Sequence, residues 1–291
     1  MSERNQDFNY LWDGSNLETE TKEIVQLLEN LSLSADEKKN LLKKILIVEK
    51  RLYPYEDPDA YSVLLYQDMK CFFKKRLENF KKNGTIKENS KYIDVCIEGW
   101  RFRLTTDYIG SSVDWAQEAG ISSSEIRNFL DITRKLGGHM FWPTQIKPPL
   151  DKLIDGKDGT INTCRGGEKG FYDRIDLTLF YLKEWYLNHE KGGGRLHNVF
   201  QKYAAWLKLF EDEDKEKSFQ KFIDFFCLND FVDETYQIRN LCYDDSEEEF
   251  LNAESRIYIP KTQEGYRKYI KNTNKCIEER NKKMWEIISE T

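Results

Sequence analysis

One change of period limits what this chain can fold into. In "KYIDVCIEGWRFRLTT", residues 91 to 106, apolar side chains alternate with polar ones at Ile93, Val95 and Ile97, then at Trp100, Phe102 and Leu104. That two-residue repeat belongs to a half-buried strand, with a kink expected at Gly99. Nearly every other apolar pattern repeats at three to four residues and predicts helix. Residues 16–31 and 34–53 are predicted to form an antiparallel helical hairpin, the second helix opened by Ser34 and Glu37 in capping-box spacing and stopped before Pro54. Further helices are predicted from Asp57-Pro58 to 81, at 112–119, at 122–136 behind "ISSSE", from about 171 to the triple glycine at 192–194, and over 196–210. A helix apolar nearly all round follows at 218–232, and a terminal helix at about 264–289. Short strands are expected at 140–142 and 256–259, and Pro143, Pro148, Pro149 and the glycines between 156 and 167 mark the longest irregular stretch. These periods predict a predominantly helical α+β protein. Its N-terminal helical region covers 1–88. A central α+β core over 89–235 holds a small sheet from 91–106, 139–142 and 160–164, and 236–291 hold an acidic loop and the last helix.

The core must be built largely from rings, because 39% of the 291 residues are hydrophobic and 14% are aromatic. Forty-five Lys and Arg against 51 Asp and Glu leave a net charge of −6. Direct nucleic-acid binding is therefore not expected of the chain as a whole, although a local basic groove is compatible with that balance. Six scattered cysteines without a CxxC pair, and no secretory leader, read as reduced, buried thiols of a cytoplasmic protein. No apolar run approaches the ~20 residues of a membrane span, so no membrane partner is expected.

Two polar blocks carry the candidate chemistry. In "RGGEKGFYDR", Arg165, Gly166, Gly167, Lys169 and Gly170 precede a helix start, where free N–H groups and two cations suit a phosphate. The plainer reading is a turn whose basic residues face water, with Asp173 capping the helix. In "GGHMFWPTQ", His139 has the pKa range of a general acid or base, with Asn162, Arg165, Asp173 and Asp176 as the nearest polar candidates in sequence. A histidine satisfied by backbone at a helix-to-strand corner fits that sequence better, since no nucleophile is announced by spacing. Asp173 and Asp176, with Arg174 between them pointing elsewhere, form a cation or arginine clamp or, more simply, a capped helix start. His189 and His197 lack ligand spacing, and neither a metal nor a cofactor is expected.

Three further features point to partners. Glu211, Asp212, Glu213 and Asp214, and then Asp244, Asp245, Glu247, Glu248 and Glu249, are acidic runs suited to a basic protein face, or are merely solvated loops. Tyr266, Ile270, Ile277, Met284 and Ile287 follow four-three spacing with Thr273 and Arg280 in two poor seats. They mark either an oligomerisation seam or a face docked on the chain's own domain.

The blocks "GGHMFWP", "TINTCRGG" and "YDRIDLTLFYLKEWY" resemble a family of uncharacterised bacterial and phage proteins over roughly residues 90 to 235. Size, acidity and the same blocks are also similar to phage-encoded inhibitors of the Gabija antiviral system. That second resemblance implies a homo-oligomeric, non-enzymatic protein that binds a host nuclease complex and blocks DNA engagement or cleavage. The alternative is an enzyme or binding module for a phosphate-bearing ligand, using His139 as acid or base, Asn162 to orient substrate, and Arg165 and Lys169 to hold the anion.

Overall fold

The computed structural model describes residues 33–38, 40–41, 54–55, 63–81, 84–88, 92–110, 113, 116–149, 161–162, 174–188, 197–242, 260 and 262–290. The chain divides into two compact units, one of residues 1–53 with 285–291 and one of residues 54–284. In the first, Ser34 and Glu37 close the expected capping box: the Ser34 N–H donates to Glu37 Oε2 at 2.8 Å and the Glu37 N–H to Ser34 Oγ at 3.3 Å. The borders expected at 88 and 235 both fall inside the second unit.

The second unit is mainly helical around an antiparallel sheet. Helix α1 (Val63–Lys81) leads into strands β1 (Gly84–Glu88), β2 (Ile93–Ile97) and β3 (Trp100–Tyr108). Helix α2 (Ser123–Thr133) and a 3-10 turn (Leu136–Gly138) follow, then strands β4 (His139–Lys147) and β5 (Ile161–Asn162). The remainder is α3 (Ile175–Asn188), α4 (His197–Gln201), α5 (Ala204–Leu207), α6 (Lys215–Phe226) and α7 (Gln263–Ser289), whose residues from Trp285 onward are grouped with the first unit. The five strands run in chain order, each antiparallel to the next. The α+β class and the small central sheet are as expected.

Register explains why the sheet forms here. Ile86, Val95, Phe102, Ile146 and Ile161 lie opposite one another in a single row across all five strands, and Val95, Phe102 and Ile146 are fully buried. The flanking rows are polar, Lys87, Asp94, Arg103, Gln145 and Asn162 on one side and Thr85, Cys96, Arg101 and Lys147 on the other. A slip of one residue would turn the apolar row outward, so the pattern fixes the pairing.

Gly99 is not a kink in one strand. Ile97 pairs with Trp100, and Glu98 (φ 49°) and Gly99 (φ 82°) both sit in the left-handed region that a two-residue hairpin turn requires. Nor does the strand at 140 stop before Pro143. Register moves from Arg103–Gln145 to Leu104–Pro143, so Thr144 is an extra, bulged residue, and the bulge carries the proline, which has no N–H to give, inside β4. Residues 116–120 form turns instead of the end of a helix, and the helix expected over 196–210 is broken into α4, α5 and a 3-10 turn. The capping box at Ser122 and Glu125 forms as expected.

Helix α6 is shorter and more two-faced than its composition suggests. Asp214 caps its start by accepting the Glu216 N–H, and Cys227, at φ 54° and ψ 50°, ends it in a left-handed turn. Phe219, Phe222, Ile223 and Phe226 face inward, while Lys217, Lys221 and Asp224 are exposed. Phe222 and Phe226 meet Phe210, and Trp206 reaches Phe102 on the sheet, so rings join helix to sheet. Burying each such side chain contributes roughly 1.5–3 kcal/mol. Cys227, Cys242 and Cys276 are buried as expected, but Cys71 is exposed and Cys96 half-buried; all five are free thiols. The strand expected at 256–259 lies outside the described residues. No helix among them is long and apolar enough to cross a membrane.

Candidate functional site

The "GGH" block is an anchoring point for α7. The paired glycines end the 3-10 turn where the α7 backbone packs against Gly137. A Cβ on Gly137 would lie 2.6 Å from the Asn281 amide nitrogen and against the Ile277 carbonyl, and one on Gly138 would run into the Thr133 carbonyl. Only glycine admits that approach. Asn281 Oδ1 accepts the Gly137 N–H at 3.1 Å. Arg280, fully buried, spreads its guanidinium over four backbone carbonyls: Phe226 at 2.9 Å, Cys227 at 3.0 Å, His139 at 2.8 Å and Gly137. Two of these end α6, where carbonyls lack helical partners and the helix dipole favours a cation. Burial nonetheless pulls the Arg280 pKa down to about 10, against the raising influence of Cys227 and Asp230.

His139 sits inside this joint with no exposed surface. Its Nδ1 is 2.9 Å from the Lys135 carbonyl, and its ring stacks on Tyr108 at 4.7 Å between centroids. Among the described residues Nε2 has no hydrogen-bond partner. Burial, with the nearby Arg280 charge adding to it and the Lys135 carbonyl opposing it, lowers the histidine pKa to about 4. The ring is therefore neutral near pH 7, and the Lys135 carbonyl requires its proton on Nδ1.

Asn162 is not brought to His139. It pairs in register with Gln145, six residues along β4, or roughly 20 Å at ~3.4 Å per residue. Asp173, Arg165, Gly166, Gly167, Lys169 and Gly170 lie outside the described residues, as do His189, Asp244, Asp245, Glu247, Glu248 and Glu249.

A second node corrects the reading of Arg174. Instead of pointing away from its neighbours, Arg174 closes on Asp176 in a bidentate pair, Nε to Oδ1 at 2.9 Å and Nη2 to Oδ2 at 2.7 Å, with both side chains fully buried. Asp176 Oδ2 also accepts the Leu241 N–H at 3.1 Å, and the guanidinium lies 5.0 Å from the Tyr269 ring centre on α7. Burial opposes the arginine's charge, but the Asp176 carboxylate outweighs it and the Arg174 pKa is raised. Cys242 beside the pair is pushed by burial to about 11, so its thiol stays protonated.

The first acidic run is engaged with α6. Asp212 pairs with Lys221 at 2.6 Å, Asp214 serves as the cap, and Glu213 is exposed. On α7, Tyr266, Ile277 and Met284 are buried within the chain, and Ile270 and Ile287 are half-buried. The poor seats of the seam, Thr273 and Arg280, are fully buried as well. Among the described residues no group of three or more His, Cys, Asp and Glu side chains gathers as a metal site would need.

Fold and joints together define a mainly helical α+β protein whose "GGH" block ties α7 to β4 and to the end of α6, and whose Arg174–Asp176 pair ties the start of α3 to Leu241 and to Tyr269 on α7. Over residues 45–284 the chain matches the family described as Family of unknown function (DUF6994), and it belongs to that family. No curated protein and no solved structure matches it.

Proposed function

We infer that this chain acts as an interaction protein, working through its exterior and not through chemistry at the central blocks. The observation that carries this reading is the complete burial of His139, the histidine whose sequence setting suggested an acid or base. A general base must reach the proton it removes, and a neutral ring with no exposed surface, packed against Tyr108 and the Lys135 carbonyl, leaves a substrate no open face to meet. Among the described residues only Val63 and Leu187 are large exposed hydrophobic side chains, which favours a charged and polar contact over an apolar one. The narrower reading, a homo-oligomeric inhibitor that binds a host antiviral nuclease complex of the Gabija kind, rests on the resemblance of the central blocks and on the acidic runs.

Affinity capture from cells carrying such defence systems, followed by mass measurement of the intact complex, tests it. The expected result is a stoichiometric assembly of this chain with a protein complex, retained when Arg165→Ala is introduced. Recovery of the chain alone with a phosphorylated small molecule, lost in Arg165→Ala, would reverse the reading.

A further inference from the structure

The polar rows of the sheet carry a charge opposite to that of the whole chain. Among the described residues of β1 to β3 these rows hold Lys87, Arg101 and Arg103 against the single carboxylate of Asp94, three to one. The chain as a whole has 45 basic to 51 acidic residues. Arg101 and Arg103 divide that one carboxylate: Arg103 Nε lies 3.0 Å from Asp94 Oδ1, and Arg101 Nε 3.5 Å from Oδ2. Among the described residues one arginine's worth of charge in these rows is therefore uncompensated, and Lys87 adds another, exposed on the edge strand β1, two strands from β3. The Arg101 side chain keeps 39% of its surface open and that of Arg103 22%.

The geometry is ordered as well as basic. Arg103 lies over Tyr92, 3.7 Å from the ring centre, and its Nη1 donates to Gln145 Oε1 at 3.1 Å, so its guanidinium is held in place before any ligand arrives. Residues two apart on a strand recur at ~6.8 Å and neighbouring strands at ~4.8 Å, which sets the cations out as a grid across a pleated surface. Such a surface follows an extended chain of phosphates, whereas reading a duplex calls for an element that enters a groove.

We propose that the face formed by Lys87, Arg101 and Arg103, with Gln145 beside them, binds the backbone of single-stranded nucleic acid. The net charge of −6 makes this a local site, dependent on low to moderate salt, in place of general affinity for nucleic acid. It stands apart from the proposed binding of a protein complex and uses none of the acidic residues.

The test is fluorescence anisotropy of the full-length chain with labelled single-stranded RNA and DNA 20-mers, a 20-base-pair duplex, and a polyglutamate peptide, across a salt series. Binding to a single strand is expected, with a slope of log K against log salt of about −2 for three cations. Lys87→Glu with Arg101→Glu should weaken it on the order of tenfold or more and flatten the slope. The same charge change placed at Lys217 and Lys282 should leave affinity within about twofold. Lys87→Ala with Arg101→Gln provides a milder variant should the reversal disturb folding, which circular dichroism reports, and a several-fold loss is expected. The proposal fails if neither single strand binds, if both sheet variants bind as the wild type does, or if the duplex binds more tightly. It also fails if polyglutamate binds as well as the oligonucleotides, which would make the face a dock for acidic protein.

Discussion

Arg280 on α7 donates from Nη1 to the backbone carbonyl of His139 at 2.8 Å, and the same guanidinium reaches the last carbonyls of α6. Three elements thus meet on one side chain, with carbonyls in place of a carboxylate as acceptors. Lysine cannot span four carbonyls lying in different directions. With three donors in place of five, Arg280→Lys would leave at least one of them buried and unpaired. The expected cost is about 3–5 kcal/mol, read as a lowered midpoint of denaturant unfolding. A loss below about 1 kcal/mol would mean that water supplies these acceptors equally well.

His139 makes stability depend on pH. Its pKa is near 6.5 unfolded and about 4 folded, so between those values the unfolded chain binds the extra proton. Its contribution is intact above pH 6.5, is lost as pH falls toward 4, and changes no further below that. The full loss is about 3 kcal/mol. Unfolding midpoints of the wild type and His139→Asn, measured from pH 7.5 to 4, should differ in slope only within this window. Parallel curves would show that the ring becomes protonated without cost.

The Arg174–Asp176 pair is sealed from water, so its halves are worth more together than apart. Asp176→Asn leaves a buried guanidinium without a counter-charge and should cost about 3–5 kcal/mol. Arg174→Met with Asp176→Leu removes both charges and should recover most of that loss. A double-mutant cycle in urea checks it, the expectation being a coupling above about 2 kcal/mol.

Strict alternation over Ile93–Leu104 identified strands β2 and β3 because a period of two has no helical reading. The turn between them was missed because Glu-Gly announces a hairpin far more weakly than Asn-Gly. Strand β1, "GTIKE", has one apolar residue and carries no such signal. The Arg174–Asp176 pair was hidden by helix geometry, in which residues two apart do not face each other. Arg174 precedes the first residue of α3, its carbonyl accepting the Thr178 N–H at 3.0 Å, and so escapes that rule. Arg280 was visible only as a poor occupant of an apolar seam. A cation at such a seat signals buried backbone acceptors, but the α6 carbonyls it meets lie 53 and 54 residues away in sequence.

Gly137 and Gly120 need glycine for different reasons, and alanine separates them. Gly120 has a φ of +84° and open space apart from the Gln263 side chain, so Gly120→Ala should cost about 1–2 kcal/mol of backbone strain and no more. Gly137 faces the α7 backbone, and a methyl group there displaces the helix that carries Arg280 and Asn281. Gly137→Ala is expected to exceed about 2 kcal/mol, since backbone cannot rotate away as a side chain can. Combined with Arg280→Lys its effect should fall short of additive, because the first substitution already loosens the joint that the second removes. Unfolding midpoints of the two single variants and the double variant decide it: full additivity would mean that the close approach at Gly137 and the Arg280 contacts are independent, and α7 would then be held at two separate places.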